Sequence, residues 1–165
     1  MPIVVAGLSH HTSPVNVRER FAFAESATPA ALEKLRSSGL ADEAVILSTC
    51  NRVEIYAATS RPPGEALAGL RQFLIGHHNY TGALTNEIFV LREPQSVEHL
   101  FKVACGMDSM VLGETEILGQ LKKAYDLALQ HKHTGSRLNK AFQRAFNVAK
   151  HIRTETNIQR GSISV

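Results

Sequence analysis

The order of short apolar runs over residues 1–92 constrains the fold of this chain more than any other feature. Two helical segments, 30–38 and 65–75, separate four runs with the length and residue types of β-strands, which are 3–8, 43–47, 53–58 and 88–91. Strand, helix, strand, strand, helix, strand is the order of a ferredoxin-like split βαβ unit. We therefore expect an antiparallel sheet with these helices on one face, and a shorter helix over 15–24.

The sequence changes character at Pro94, because no strand pattern follows it. Helices are predicted over 95–105, 114–133 and 136–157, with a break at 106–113. The last helix carries an apolar stripe at helical spacing, formed by Leu138, Ala141, Phe142, Ala145, Phe146 and Ala149. The expected fold class is therefore α+β, with an α/β subdomain over 1–92 and a helical-bundle subdomain over 93–156.

The segment Ser-Thr-Cys-Asn-Arg at 48–52 joins the second and third predicted strands and should form the tip of a β-hairpin. A thiol at such a tip is exposed, whereas cysteines that serve only as small apolar residues are normally buried. The neighbouring cation of Arg52 would favour the thiolate, so Cys50 is a candidate nucleophile. A hairpin with an incidental cysteine explains the segment equally well, since a lone cysteine needs partners that the fold brings to it.

Charge is distributed unevenly along the chain. Residues 1–120 hold 9 Lys and Arg against 13 Asp and Glu, whereas residues 121–165 hold 9 against 2. Clustered cations favour a polyanionic partner, nucleic acid first, because binding releases counterions from the phosphates. The candidate contacts lie on the last helix, facing away from its apolar stripe, and are Lys140, Arg144, Lys150 and Arg153. A solvated helix face that happens to be basic is the alternative.

Cysteine content and hydropathy indicate the cellular compartment of the protein. Two cysteines, Cys50 and Cys105, are too few for a disulfide framework. No apolar run approaches the roughly 20 residues of a membrane span, and the N-terminus lacks the pattern of a signal peptide. We therefore expect a cytoplasmic protein that does not cross a membrane.

Three blocks of sequence, taken together, point to a family. They are GLSHHTSPV at 7–15 with RER at 18–20, LSTCNRVEIY at 47–56, and HLFKVA at 99–104 running through DS at 108–109 to GETEILGQ at 113–120. In this order they closely resemble the N-terminal catalytic domain of glutamyl-tRNA reductases. In that family the domain is a small α/β unit joined to a helical bundle, which agrees with the expectation drawn from the strand and helix patterns.

The resemblance implies a role for each of six residues. Cys50 would attack the ester that joins glutamate to the terminal ribose of its tRNA, and His99 would assist proton transfer or hold the substrate. Arg52 would bind the glutamate side-chain carboxylate in a two-pronged contact. Three further residues would hold the glutamyl group, with the pocket lying between the two subdomains, and these are Thr49, Ser109 and Gln120.

Without the resemblance, three of these residues have ordinary structural explanations. His99, in an apolar stretch of helix, would be a core histidine. Ser109 lies in a break between helices, where serine is a common N-cap. Gln120 could be a surface residue. No metal site is expected.

The complete family reaction needs NADPH, which would reduce the thioester to glutamate-1-semialdehyde. The sequence contains no Gly-x-Gly-x-x-Gly after a strand, so no cofactor is expected to bind to this chain. We expect residues 157–165 to begin a linker helix to a nucleotide domain, and dimerisation of the longer enzyme through a further helical domain. The chain itself would then form the thioester or hydrolyse it. A non-catalytic tRNA-binding module is the main alternative, and a thiol hydrolase or redox enzyme of another family is a second.

Overall fold

The computed structural model describes residues 1–156, and its centre is a four-stranded sheet. The strands are Ile3–Ser9 (β1), Glu43–Ser48 (β2), Arg52–Ala58 (β3) and Phe89–Leu91 (β4). Their order is β2-β3-β1-β4, and every neighbouring pair is antiparallel. This is the sheet of the predicted ferredoxin-like unit, so the strand order and the α+β fold class are confirmed.

Helices cover both faces of this sheet. Every residue of β1 and β3 is buried, and neighbouring residues of a strand point to opposite faces, so neither face is open to solvent. The helices are Val15–Arg18 (α1), Thr28–Ser37 (α2), Pro63–His77 (α3), Gln95–Ala104 (α4), Glu116–Gln130 (α5) and Ser136–Thr156 (α6). The hydrophobic core runs without a break from β1 to α6. The proposed division at residue 92 stays a prediction.

The single helix predicted over 15–24 is wrong. One turn of α-helix, α1, is followed by a 3₁₀ turn at Glu19–Phe21, and the chain is extended at Ala22. Phe21 and Phe23 are both buried while Ala22 between them is exposed. An extended chain points two such residues to the same side, which a helix does not do, so burial of both rings breaks the helix.

The other helices agree with prediction to within a few residues. The apolar stripe of α6 is buried, except that Phe146 is only partly covered. Helix α5 begins two residues later than expected because Glu114 precedes it and accepts hydrogen bonds from the N–H groups of Glu116 (2.7 Å) and Ile117 (3.1 Å). A side-chain acceptor at this place satisfies N–H groups that have no partner within the helix. The linker predicted over 157–165 lies outside the described residues.

Across residues 1–156, no helix combines the length and the apolar character that crossing a bilayer requires.

Candidate active site

The hairpin between β2 and β3 holds Cys50 at its tip. The Thr49 hydroxyl accepts hydrogen bonds from the N–H groups of Asn51 and Arg52, both at 3.2 Å, and the Thr49 N–H donates to the Arg52 carbonyl at 2.8 Å. This pattern closes a tight turn and leaves the Cys50 side chain exposed, as predicted. The thiol is therefore presented to solvent by a turn whose backbone is fixed.

A buried arginine, Arg18, also supports this turn. The Arg18 guanidinium donates from Nε to the Cys50 carbonyl (3.0 Å) and from Nη1 to the Ser13 carbonyl (2.7 Å). The N–H of His10 donates to the Asn51 carbonyl at 3.0 Å. The loop after β1 and helix α1 thus hold the backbone beneath Cys50. Sequence reasoning assigned Arg18 no role, although it lies within the family blocks.

Beside the hairpin tip lies a cavity of about 450 Å³ that brings five of the six expected site residues together. One wall comes from the hairpin, and the opposite wall comes from the loop before α5 and from the first turns of that helix. The residues that line the cavity are Thr49, Cys50, Asn51, Arg52, Ser109, Met110, Val111, Glu114, Thr115, Glu116, Ile117 and Gln120. Gln120 is partly buried here and is not an ordinary surface residue.

Ser109 does not act as a helix cap. Its hydroxyl donates to the Glu114 carboxylate at 3.2 Å, and that carboxylate is the group that satisfies the first N–H groups of α5. Ser109 and Gln120 therefore face the cavity from a loop and a helix that Glu114 ties together. Sequence reasoning placed Glu114 in the helix and missed this function.

The Arg52 guanidinium points into the protein, and the residue is only 1% exposed. Nη1 lies 3.0 Å from Glu54 Oε2 and 2.9 Å from Asp108 Oδ2, and Nη2 donates to the Asp108 carbonyl at 2.7 Å. Burial alone would lower the pKa of Arg52, but the negative groups around it, Glu54 first, outweigh burial and raise it. The guanidinium is therefore bound to carboxylates, and Arg52 lines the same cavity as Cys50.

Glu54 is the centre of a buried polar cluster. It is 0% exposed, and its two carboxylate oxygens contact His99 Nε2 (2.6 Å), Arg52 Nη1 (3.0 Å) and the Tyr56 hydroxyl (2.6 Å). Burial alone would raise the pKa of Glu54, but the hydrogen bond and charge of His99, with Arg52 and Tyr56, hold it below its ordinary value. Burial and the neighbouring carboxylate raise the pKa of Tyr56 well above its ordinary value.

His99 belongs to this cluster and is not among the residues that line the cavity. Its imidazole is 13% exposed and also packs near the ring of Phe89, with centroids 5.4 Å apart. Two contacts link it to the cavity, through Glu54 and then through Arg52. The structure therefore places His99 behind the site, where it can orient Glu54 and Arg52.

Glu54 and Asp108 are site residues that sequence reasoning missed. Glu54 carried one usable signal: it is a carboxylate in an apolar strand, between Val53 and Ile55, and a buried carboxylate requires partners. Asp108 lies in the loop between α4 and α5 and within the third family block, but the resemblance implied no role for it, and acidic residues are common in exposed loops.

The four expected tRNA contacts lie on α6. Lys140, Arg144 and Lys150 are exposed, whereas Arg153 is partly covered. Lys140 and Arg144 line a separate groove, together with Arg137, Glu93 and Phe101. None of the four lines the cavity beside Cys50.

Metal-ligating side chains do not cluster in the described part of the chain. Over residues 1–156, no three His, Cys, Asp or Glu side chains lie close enough together to hold a metal ion.

An exposed thiol beside a cavity lined mostly by polar residues, with a buried guanidinium and carboxylates next to it, defines a class of protein with a thiol site on a ferredoxin-like sheet. A comparison with known protein families shows which family of this class the chain belongs to. Residues 6–156 match the family described as "Glutamyl-tRNAGlu reductase, N-terminal domain", and the chain belongs to this family.

Curated relatives and a solved structure agree with the family match. The whole chain is 45% identical to a glutamyl-tRNA reductase of Marinobacter nauticus and 41% identical to one of Neisseria meningitidis. It spans 38% and 39% of the length of those two proteins. Among solved structures it is similar to "Glutamyl-tRNA Reductase from Methanopyrus kandleri", with a TM-score of 0.78 and 33% identity over 93% of this chain and 34% of that one.

Proposed function

We propose that this chain is the part of a glutamyl-tRNA reductase that forms a thioester with the substrate. The thiol of Cys50 attacks the carbonyl carbon of the glutamyl ester, a C–S bond forms, and the C–O bond to the terminal ribose breaks. The proton lost by the thiol ends on the ribose oxygen, so atoms and charges balance. The observation that carries this proposal is the exposed thiol on a braced turn, at the rim of a cavity lined by polar side chains.

The cavity suits a glutamyl group. Hydroxyl and amide groups at Thr49, Ser109 and Gln120 offer hydrogen bonds to its ammonium and carbonyl groups. Arg52, which also lines the cavity, supplies the cation that the side-chain carboxylate requires. We infer that His99 acts through Glu54 and Arg52, as a positioning residue.

The described residues do not fit NADPH. A dinucleotide site needs a strand, a glycine-rich turn and a helix in succession. The glycines nearest to that pattern are Gly113, which lies in a loop after helix α4, and Gly119, which lies inside α5. No strand leads into them within residues 1–156. We therefore assign the NADPH-dependent reduction to glutamate-1-semialdehyde, and dimerisation, to the part of the relatives' length that this chain does not span.

We further propose that the reaction serves tetrapyrrole biosynthesis in the cytoplasm and that tRNA approaches along α6. The basic side chains Lys140, Arg144 and Lys150 are exposed on this helix, which supports an electrostatic contact with phosphates. Replacing them with Gln should flatten the dependence of tRNA binding on salt concentration, measured by filter binding. An unchanged slope would place the tRNA on another surface.

The decisive experiment mixes this chain with glutamyl-tRNA that carries labelled glutamate, without NADPH, followed by an acid quench. We expect label on the protein that hydroxylamine releases and that a Cys50→Ser variant lacks. Cys105→Ala is the matched control, because that thiol is only 2% exposed and burial raises its pKa. If label reached the protein equally in the Cys50→Ser variant, Cys50 would not be the nucleophile. If label never left the tRNA, the thioester proposal would be wrong and a tRNA-binding module would replace it.

A further inference from the structure

Asp108 occupies the position at which a substrate carboxylate would meet Arg52. Its carboxylate lies 2.9 Å from Nη1 of the guanidinium, and its own backbone carbonyl accepts a hydrogen bond from Nη2 at 2.7 Å. One residue thus contacts both terminal nitrogens, as a two-pronged carboxylate ligand does.

Two carboxylates already lie at one end of the guanidinium. Nη1 donates a hydrogen bond to Glu54 Oε2 at 3.0 Å, and Asp108 Oδ2 lies 2.9 Å from the same nitrogen. A glutamate side chain that binds both terminal nitrogens therefore requires one of these two carboxylates to leave.

Asp108 is the carboxylate that can leave. Glu54 is fully buried on the central strand β3 and is held by His99 and Tyr56 as well. The Asp108 side chain is 23% exposed and has a second partner on the solvent side, because Oδ1 lies 3.5 Å from Nε2 of His11. His11 is 57% exposed, so a released Asp108 carboxylate can stay near it in water.

The loop that carries Asp108 is closed at its base and exposed at its tip. Gly106 and Gly113 flank it with φ of 72° and 79°, a region that favours glycine, and the Gly113 N–H donates to the Gly106 carbonyl at 3.0 Å. Between these glycines the apolar side chains of Met110, Val111 and Leu112 are 65–67% exposed. The loop is therefore closed at its base, while little apolar packing holds its tip.

We propose that the Asp108 carboxylate balances the positive charge of the buried Arg52 guanidinium in the free protein, and that the side-chain carboxylate of the substrate displaces it. This inference rests on the proposed function. One carboxylate replaces another, so the charge around Arg52 and Glu54 is the same before and after binding. The exchange also moves the loop that positions Ser109, which links recognition of the side chain to the geometry of the cavity.

The test measures, by calorimetry on the whole chain, how tightly a substrate analogue binds. In this analogue an amide replaces the ester between glutamate and adenosine, so Cys50 cannot readily cleave it. If Arg52 is available in about a tenth of the molecules, Asp108→Ala should bind the analogue about tenfold more tightly. Asp108→Asn, which keeps the shape of the side chain, should show a smaller gain. A residue with only a structural role would not strengthen binding when removed.

Asp126→Ala is the matched control, since it removes one negative charge from an exposed position on α5, and its affinity should equal that of the wild type. Thermal unfolding establishes that each variant is folded. Equal or weaker binding by both folded Asp108 variants would overturn the inference and leave the thioester proposal intact. Absence of binding by every protein, wild type included, would overturn both.

Discussion

Two buried glutamates on neighbouring strands of one sheet have different functions. Glu43 on β2 is 5% exposed and accepts hydrogen bonds from three backbone N–H groups, those of Gly135 (2.8 Å), Arg137 (3.2 Å) and Leu138 (2.8 Å). Glu54 on β3 is 0% exposed, and its three partners are the side chains of Arg52, His99 and Tyr56. Glu43 therefore fixes the start of a helix, and Glu54 fixes the side chains of a site.

The two environments compensate a buried negative charge in different ways. Glu43 meets the N-terminus of α6, where unpaired N–H groups and the helix dipole favour an anion. Glu54 meets a full cation, and that cation also contacts Asp108 at the cavity. A carboxylate that binds main-chain groups contributes stability alone, whereas one that binds side chains of the cavity affects stability and chemistry together.

The largest effect we expect is that of Glu54→Ala. This change leaves Arg52 buried with Asp108 as its remaining carboxylate and removes the acceptor of the Tyr56 hydroxyl. Loss of one partner of a buried ion pair destabilises a protein by about 3–5 kcal/mol. That is a large part of the free energy of unfolding of a domain, which is roughly 5–15 kcal/mol. The free energy of unfolding in urea measures this.

Two milder variants separate charge from shape at the same position. Glu54→Gln keeps the volume and should fold, yet it should slow label transfer to Cys50 by about 100-fold, because small displacements of substrate-binding groups have effects of that size. Tyr56→Phe removes one hydrogen bond to Glu54 and should cost about 1 kcal/mol. Unchanged label transfer in Glu54→Gln would show that the cluster does not position the site.

The same contrast explains how far sequence reasoning reached. The four strands and the exposed position of Cys50 follow from patterns within a few residues, such as alternating apolar positions around a polar turn. The failure over residues 15–24 came from burial of both Phe21 and Phe23, which depends on what packs against them. Local patterns do not contain that information.

The sequence predicted which residues belong to the site, but it did not predict which of them contact one another. The family blocks identified Cys50, Arg52 and His99, and they say nothing about which groups face one another. Arg52 meets Asp108 across 56 positions of sequence, and Glu54 meets His99 across 45. Arg52 begins β3, so the strand sets the direction of its side chain, and the groups that it then meets come from distant parts of the chain.

Glu43→Ala should destabilise the protein less than Glu54→Ala, and it should leave the chemistry of the site unchanged. It leaves three N–H groups near the start of α6 without their acceptor, where water can replace part of the loss, so we expect a cost of about 2 kcal/mol. Label transfer to Cys50 per folded molecule should equal that of the wild type at a temperature well below unfolding. Glu43→Gln retains one acceptor oxygen and should recover part of the stability. If Glu43→Ala stayed fully folded but lost label transfer, the start of α6 would be coupled to the cavity, and the separation between a glutamate for the fold and a glutamate for the site would be wrong.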